Sequence, residues 1–187
     1  MMFVRNISQK IWLISALCIG IVGVGGFFFY TRYASPLSIV DFVYETHAHE
    51  VLDIFEKDRY WLTSTPGYDA DYMLKNRAPN KSILYQGKMH IKVLLDHGQV
   101  AGFTTYYMKP GNNGCVLFVA VGQQFRNKGY AKKIVRYDIE QLRRLGATRV
   151  TLLTRATNYP AQRVYESVGF ARVREDEDYV YYSYPLQ

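Results

Sequence analysis

The sequence has 187 residues and a formal net charge of +7, from 23 Lys and Arg against 16 Asp and Glu. Its two cysteines, Cys18 and Cys115, are too few for a disulfide-stapled secreted scaffold, and its four histidines lack the spacing and partners of a metal site. About 150 residues follow position 36, which is the size of one domain with a single core.

The first predicted element is a transmembrane helix. Residues 11–30 carry no charged side chain, and a helix of that length is about 30 Å long, the thickness of a hydrocarbon core. Trp12 and Tyr30 lie near its ends, where aromatic side chains favour the membrane interface. A cleaved signal peptide is the alternative, but the residues before Ala34 are too large for a cleavage site. The predicted segments are an N-terminal flank over 1–10, the transmembrane helix over 11–30 and a linker over 31–36.

Residues 37–187 alternate between strand-like and helix-like patterns. The predicted order is one strand, two helices, three strands, a helix, a strand, a helix and two strands. The predicted strands are 37–44, 90–95, 99–108, 115–121, 150–154, 171–174 and 179–184, and the predicted helices are 47–59, 69–77, 129–145 and about 160–169.

A basic segment with a glycine follows the strand over 115–121 and opens the helix over 129–145. It reads Arg126-Asn127-Lys128-Gly129-Tyr130-Ala131. The first N–H groups of a helix have no intrahelical acceptor, so they attract phosphate groups. Gly129 lacks a Cβ and permits close backbone approach, while Arg126 and Lys128 add positive charge. The segment therefore predicts a binding site for the phosphates of a nucleotide cofactor.

This segment has the pattern R-x-x-G-x-A, and the stretch from Asn158 to Phe170 has the pattern N-x-x-A-x-x-x-Y-x-x-x-G-F. The two motifs in this order resemble the GNAT superfamily of acetyl-CoA-dependent N-acetyltransferases, over about residues 38–186. The resemblance implies an α/β (α+β) fold over residues 37–187, with a mixed, mostly antiparallel sheet flanked by helices. It also implies direct transfer of an acetyl group from acetyl-CoA to a primary amine in a ternary complex, without a metal.

The resemblance assigns roles to residues of this chain. It implies a gap beside the strand over 115–121, in which the pantetheine arm of the cofactor pairs with the strand backbone. It implies phosphate binding by the segment that starts at Arg126, and it places Tyr165 near the cofactor sulfur as the acid that protonates the departing thiolate. The cofactor-binding set is Val119, Val121, Arg126, Asn127, Lys128, Gly129, Tyr130, Ala131 and Asn158, and the catalytic residue is Tyr165.

The general base is not identified by the sequence. Many members of the resembled superfamily carry a carboxylate on the strand that corresponds to 116–120, and this chain has none there. Other proton acceptors remain open, namely Glu45, His47, Tyr106 and Tyr107.

Two other classes of function follow from the same features. The missing carboxylate favours a non-catalytic, membrane-anchored acyl-CoA-binding module as the alternative. A nucleic-acid-binding module would use the basic helix, but no aromatic stacking pattern accompanies it, so no nucleic-acid partner is expected. Ala16 and Gly20 form one small-x-x-x-small pair, which indicates a candidate homodimer contact within the membrane.

Two arguments conflict on membrane orientation. Arg5 and Lys10 precede the transmembrane helix and only Arg32 follows it closely, which favours an N-terminus in the cytoplasm. Acetyl-CoA is a cytosolic metabolite, and an unpaired Cys115 gives no support to an oxidising compartment. We give the second argument more weight and predict a single-pass membrane protein whose catalytic domain faces the cytoplasm.

Overall fold

The computed structural model describes residues 36–79 and 86–186. The predicted transmembrane helix over 11–30 and the N-terminal flank lie outside the described residues, as does the linker apart from Pro36. Within the described part of the chain, no helix is long and apolar enough to cross a bilayer. A compact unit begins at Leu37.

The described residues contain the predicted order of elements and one additional short helical turn. The first strand is shorter than the predicted 37–44, because the first helix begins early, and the other strands are longer than predicted. The strands are β1 (Leu37–Asp41), β2 (Gln86–Asp96), β3 (Gln99–Lys109), β4 (Asn113–Val121), β5 (Arg149–Arg155), β6 (Ala171–Glu175) and β7 (Tyr179–Pro185). The α-helices are α1 (Tyr44–Leu62), α2 (Ala70–Asn76), α3 (Tyr130–Arg144) and α4 (Tyr159–Val168), and a 3₁₀ turn covers Gln123–Phe125.

The strands form one sheet in the order β1-β2-β3-β4-β5-β7-β6. All neighbouring strands are antiparallel except β4 and β5, which are parallel. The parallel pair has three paired positions, which end at Cys115 and Thr151. Beyond these two residues the strands separate, so the sheet is mixed and mostly antiparallel, as predicted, and it is split near its centre.

The two faces of the sheet bury separate clusters of side chains. The first cluster joins α1 and α2 to one face and includes Phe55, Phe103 and Tyr107. The second joins α3 and α4 to the other face and includes Tyr106 and Val150. Adjacent residues of a strand point to opposite faces, which is why Tyr106 and Tyr107 belong to different clusters.

The start of α1 differs from the sequence prediction, because the helix begins at Tyr44 and not at His47. The sequence has no Ser, Thr, Asp or Asn at the N-cap position, which is Val43. The backbone N–H of Val43 instead donates to Nδ1 of His47 at 3.0 Å. A side chain inside the first turn therefore satisfies an N-terminal donor, an interaction that cap statistics do not reveal.

Asp138 is fully buried on the inner face of α3. The hydroxyl of Thr104 lies 2.7 Å from Oδ2 of Asp138 and 3.0 Å from the carbonyl oxygen of Phe118. A hydroxyl has one hydrogen, so it cannot donate to both oxygens. If Asp138 is neutral, its O–H donates to Thr104 and Thr104 donates to Phe118, so each contact has a proton. Burial raises the pKa of the Asp138 carboxyl well above its ordinary value, which agrees with the neutral form.

We expect Asp138→Asn to stabilise the protein more at pH 8 than at pH 5. In the unfolded chain Asp138 ionises with a pKa of about 3.9, whereas the folded state keeps the proton to higher pH. The folded state then binds more protons, and the free energy of unfolding decreases by up to about 1.4 kcal/mol per pH unit between the two pKa values. The asparagine amide of the variant has no such proton to lose, and its N–H can donate to Thr104.

Thermal unfolding of both proteins at the two pH values measures the difference. Asp53→Asn is the matched control, because it makes the same substitution at an exposed carboxylate of α1 that is paired with Lys57. An equal shift of the melting temperature for Asp138→Asn at both pH values would contradict a neutral Asp138.

Candidate active site

The gap between β4 and β5 exposes backbone groups of β4. The backbone N–H groups of Phe118 and Gly122 both donate toward β3, at 3.2 and 3.0 Å. Successive residues of a strand direct their backbone groups to opposite sides, so Val119 and Val121 direct theirs into the gap. The resemblance predicts that the cofactor pairs with these backbone groups, and that pairing stays a prediction.

A β-bulge precedes this exposed edge. Thr105 pairs with Phe118 and Tyr106 pairs with Val116, so Leu117 has no partner on β3. The hydroxyl of Thr105 accepts from the Phe118 N–H, and the hydroxyl of Thr104 donates to the Phe118 carbonyl. A bulge bends its strand and changes the direction of the following groups. The two threonines therefore hold the bulge in place at the point where the gap begins. No sequence pattern indicated this bulge.

A cavity of about 1020 Å³ fills the gap. It is lined by Tyr165 and by eight of the nine predicted cofactor-binding residues, all except Lys128. This volume is at the upper end of the range for small-molecule sites. The predicted site residues that line the cavity are therefore brought together around one space, although they come from four places: β4, the loop that precedes α3, the first turn of α3, and α4.

The loop before α3 contains two left-handed residues, Asn127 (φ 62°) and Gly129 (φ 78°). Glycine adopts this conformation without steric cost, and asparagine is among the few other residues that adopt it readily. Gly129 is also the N-cap of α3 and no side chain caps this end, so the first N–H groups of the helix lack a side-chain acceptor. The loop is therefore suited to an anionic ligand.

Arg126 makes contacts that the sequence did not predict. Its Nη2 donates to both carboxylate oxygens of Asp58 at 2.6 Å, and its Nε donates to the Val121 carbonyl at 3.1 Å. Asp58 belongs to α1 and lies 68 positions earlier, so no local pattern indicates the pair. The ion pair connects the loop to α1 and offsets the charge of Arg126.

Lys128 and Tyr130 both approach Asp96 at the end of β2. The Tyr130 hydroxyl donates to Oδ2 of Asp96 at 2.7 Å, and Nζ of Lys128 lies 3.4 Å from the same oxygen. Hydrogen bonds from Tyr130 and His97 lower the pKa of Asp96, so it remains ionised. The positive charge predicted at Lys128 is thus paired, and Lys128 does not line the cavity. Lys132 and Arg163, which the sequence prediction did not include, do line it.

Asn158 is the N-cap of α4. Its side-chain oxygen accepts from the backbone N–H of Ala161 at 3.3 Å, and Pro160 occupies the first turn. Asn158 lines the cavity, and within residues 36–79 and 86–186 its side-chain N–H₂ group has no hydrogen-bond acceptor, so it is available to a ligand.

Tyr165 projects from α4 beside Phe170 and Tyr182, with ring centroids 6.1 and 5.7 Å away. Burial raises the pKa of the Tyr165 hydroxyl above its ordinary value, with further contributions from Asp138 and Tyr182. Among the described residues, none forms a hydrogen bond with this hydroxyl. Tyr165 is therefore a protonated donor on the wall of the cavity.

The cavity has little capacity to accept a proton. Among the described residues that line it, Asp58 is the only carboxylate, and Arg126 occupies both of its oxygens. Of the four candidate bases, Tyr107 alone lines the cavity, and burial, with Cys115 beside it, raises its pKa.

The other three candidates have other environments. Nδ1 of His47 accepts from the backbone at the start of α1. Tyr106 lies on the opposite face from Tyr107 and stacks on His90 at 5.0 Å. Glu45 is exposed, and it does not line the cavity.

Known proteins share parts of this sequence and its fold. The chain is 39% identical over 83 residues to N-acetylaspartate synthetase of Danio rerio, an alignment that covers 44% of this chain and 29% of that protein. It is 37% identical over 68 residues to the [ribosomal protein bS18]-alanine N-acetyltransferase of Haemophilus ducreyi, covering 36% of this chain and 44% of that protein. The chain thus spans less than half the length of either relative.

The fold is also similar to that of a solved structure, Ard1 from Thermoplasma volcanium. The TM-score is 0.64 at 18% identity, over 82% of this chain and 99% of that one. A sequence profile of the acetyltransferase (GNAT) family matches residues 48–170, which include both motifs. The chain therefore belongs to the acetyltransferase (GNAT) family, whose enzymes use acetyl-CoA as co-substrate.

Proposed function

We propose that this protein is an N-acetyltransferase that transfers an acetyl group directly from acetyl-CoA to a primary amine. The observation that carries the proposal is the single cavity in the split sheet. Residues from both faces of the sheet line it, including Tyr165 on the α4 face and Tyr107 on the α1 face. A thioester and an amine that enter from opposite faces would meet without a covalent enzyme intermediate.

The donor half of the site lies on the α3 and α4 face. In the proposal, the pantetheine amides pair with the backbone of Val119 and Val121, as an added strand would. The pyrophosphate lies on the loop N–H groups and the N-terminus of α3. Asp58 and Asp96 offset the charges of Arg126 and Lys128. Most of the attraction for the phosphates therefore comes from backbone N–H groups and from the other cations that line the cavity.

The chemistry requires three groups in this geometry. A neutral amine attacks the thioester carbonyl, and the Val119 N–H, directed into the gap, stabilises the oxyanion. When the tetrahedral intermediate collapses, the C–S bond breaks and the thiolate accepts a hydrogen bond from Tyr165. The amine's surplus proton ends on sulfur, so the products are an N-acetylated amine and CoA.

Tyr165 acts in this scheme as a hydrogen-bond donor and does not give up its proton completely. Ordinary pKa values of about 10 for tyrosine and 8.5 for a thiol make full transfer from Tyr165 to the thiolate unfavourable by roughly 1.5 units. Burial raises the pKa of Tyr165 and increases that difference. The role predicted from the sequence, a general acid, is thereby narrowed to stabilisation of the leaving thiolate.

The alternative function is a non-catalytic acyl-CoA-binding module. It is favoured by one observation, the lack of an unpaired carboxylate among the described residues that line the cavity. A neutral amine needs no strong base before attack, so this lack does not prevent catalysis. Turnover by the wild-type protein and its loss in a Tyr165 variant separate the two functions.

We predict that Gly129→Val weakens acetyl-CoA binding by at least about tenfold. A β-branched residue at φ 78° is strained by roughly 1–3 kcal/mol, and relief of that strain would turn the loop N–H groups away from the ligand. Gly146→Val is the matched control. Gly146 has φ 85° and, like Gly129, has open space around the position that a Cβ would occupy. It lies at the other end of α3.

Isothermal titration of the full chain with acetyl-CoA measures the effect. Both variants should lose similar stability, while only Gly129→Val loses affinity. Equal affinity of the Gly129 variant and wild type would refute the loop as the phosphate site.

We predict that Tyr165→Phe lowers turnover about 10²-fold, the magnitude for one lost hydrogen-bond donor to a developing negative charge, and changes acetyl-CoA affinity by only a few-fold. Tyr182→Phe is the control, because Tyr182 is a buried neighbour in the same cluster whose hydroxyl bonds Glu166 outside the cavity. Steady-state release of CoA with a panel of primary amines provides the measurement. Unchanged turnover in Tyr165→Phe would assign the residue a packing role alone.

We further propose that residues 11–30 anchor the protein in a membrane, with residues after Arg32 in the cytoplasm, and that the Ala16 and Gly20 pair contributes to a homodimer. The uncharged twenty-residue segment and the cytosolic supply of acetyl-CoA support this topology. A compartment-dependent reporter fused after Gln187 tests it, and activity is expected only for a cytoplasmic reporter. Signal from a reporter that functions only outside the cytoplasm would reverse the orientation.

A further inference from the structure

The acceptor side of the cavity can be identified from the alternation of side chains along the strands. Val150 and Leu152 of β5 and Val180 of β7 pack in the cluster of the α3 and α4 face. Side chains an odd number of positions apart on one strand point to opposite faces. Arg155, three positions after Leu152, and Tyr179, one position before Val180, therefore point to the face opposite α3 and α4. We name this surface, on the α1 face of the split, the acceptor cleft; its walls are Trp61, Tyr107, Lys109, Arg155, Tyr179 and Tyr181.

Two cations of the acceptor cleft have no acidic partner among the described residues. Nζ of Lys109 lies 5.8 Å from the centre of the Tyr107 ring, and among the described residues no carboxylate lies within 4 Å of it. The guanidinium of Arg155 stacks on Tyr60 at 4.2 Å and faces Tyr179 at 5.7 Å. Each charge is held against aromatic rings, where partial desolvation strengthens its attraction for an anion.

Arg155 is also held in place by the end of α1. Its Nε donates to the carbonyl of Tyr60, and its Nη2 donates to the carbonyl of Thr63 at 3.5 Å. Among the described residues, no acceptor takes the Nη1 hydrogens. A positioned guanidinium with donors to spare is suited to a carboxylate.

The acidic turn of the β6–β7 hairpin does not neutralise the positive charge of Lys109 and Arg155. Asp176 accepts from the backbone N–H groups of Tyr179 and Asp178 and pairs with Arg174 at 2.7 Å. None of the four acidic residues in the turn, 175–178, lines the cavity. Asp58, the only carboxylate among the described lining residues, is paired with Arg126. The acceptor cleft is therefore positively charged.

We propose that the acceptor is a primary amine that also carries a carboxylate or another anionic group, which Lys109 binds in the acceptor cleft. Arg155 lies toward the other end of the cleft, because Lys109 pairs with Asn113 and Asn113 with Arg149, six residues before Arg155. Arg155 therefore adds positive charge to the cleft without contacting the same anionic group. This inference rests on the proposed function and specifies its substrate class. The anion would bind at the α1 face while the amine reaches the thioester between β4 and β5. A polyamine or a lysine-rich peptide would instead face like charge.

The experiment compares acceptors that differ only in charge. The full chain is assayed for CoA release with β-alanine against β-alaninamide and with glutamate against glutamine, and spermidine serves as the cationic acceptor. We expect kcat/KM to be at least tenfold higher for the carboxylate of each pair, and lowest for spermidine. Equal or better transfer to the amides or to spermidine would overturn the inference and leave the proposed function intact.

Variants of Lys109 test whether this residue binds the anionic group of the acceptor. Lys109→Gln should raise KM for the carboxylated amines about tenfold with little change in kcat, and should leave the amides within twofold. Lys109→Arg should restore the preference for carboxylated amines over their amides, and Lys109→Glu should reverse that preference. Lys57→Gln is the control, because it removes an exposed cation of α1 that is outside the cavity. A KM that responds equally for acids and amides would reject Lys109 as an anion site.

A measurement on the wild-type protein complements the variants. Glutarate, a dicarboxylate without an amine, should inhibit competitively against the acceptor and not against acetyl-CoA. Absence of that inhibition would overturn the inference. A preparation that binds acetyl-CoA and releases CoA with none of the amines would overturn the proposed function, and the inference with it.

Discussion

The separation of β4 from β5 after three paired residues is the constraint on which the rest of the site depends. In an unbroken sheet, the N–H and C=O groups of Val119 and Val121 would pair with β5, and no cavity would exist. The bulge at Leu117, fixed by the hydroxyls of Thr104 and Thr105, bends β4 where the pairing stops. The Val121 carbonyl accepts from Arg126, and the other backbone groups that face the gap are costly to bury unless a ligand or water pairs with them, so the split favours a ligand that resembles a strand.

Ion pairs and a hydrogen bond hold the loop before α3 at both of its ends. Arg126 connects it to Asp58 of α1, and Lys128 and Tyr130 connect it to Asp96 of β2. These contacts connect both ends of a loop with two left-handed residues to neighbouring elements. Arg126 and Lys128 are therefore both paired with carboxylates, and Arg126 lines the cavity together with Lys132 and Arg163.

The order of elements follows from the sequence, because hydrophobic periodicity and glycine positions are local properties. The residues predicted for the site came from the resemblance of two motifs to the GNAT superfamily, and all of them except Lys128 line one cavity. The parts that sequence reasoning missed are contacts between distant residues. Asp58 meets Arg126 across 68 positions, and the His47 side chain replaces an N-cap residue from inside the helix. The cations of the acceptor cleft were missed for a third reason, since Lys109 and Arg155 end separate strands that only the sheet order brings to one face.

The alternation of side chains along β5 has a consequence for how this enzyme can diversify. Leu152 supports the α4 face, on which Tyr165 lies, whereas Arg155 belongs to the acceptor cleft. Donor and acceptor surfaces therefore draw on different residues of the same strand. Mutations at the cleft can alter which amine is selected without moving the groups that handle the thioester. A fold divided in this way lets substrate range drift over evolutionary time while the transfer chemistry is conserved.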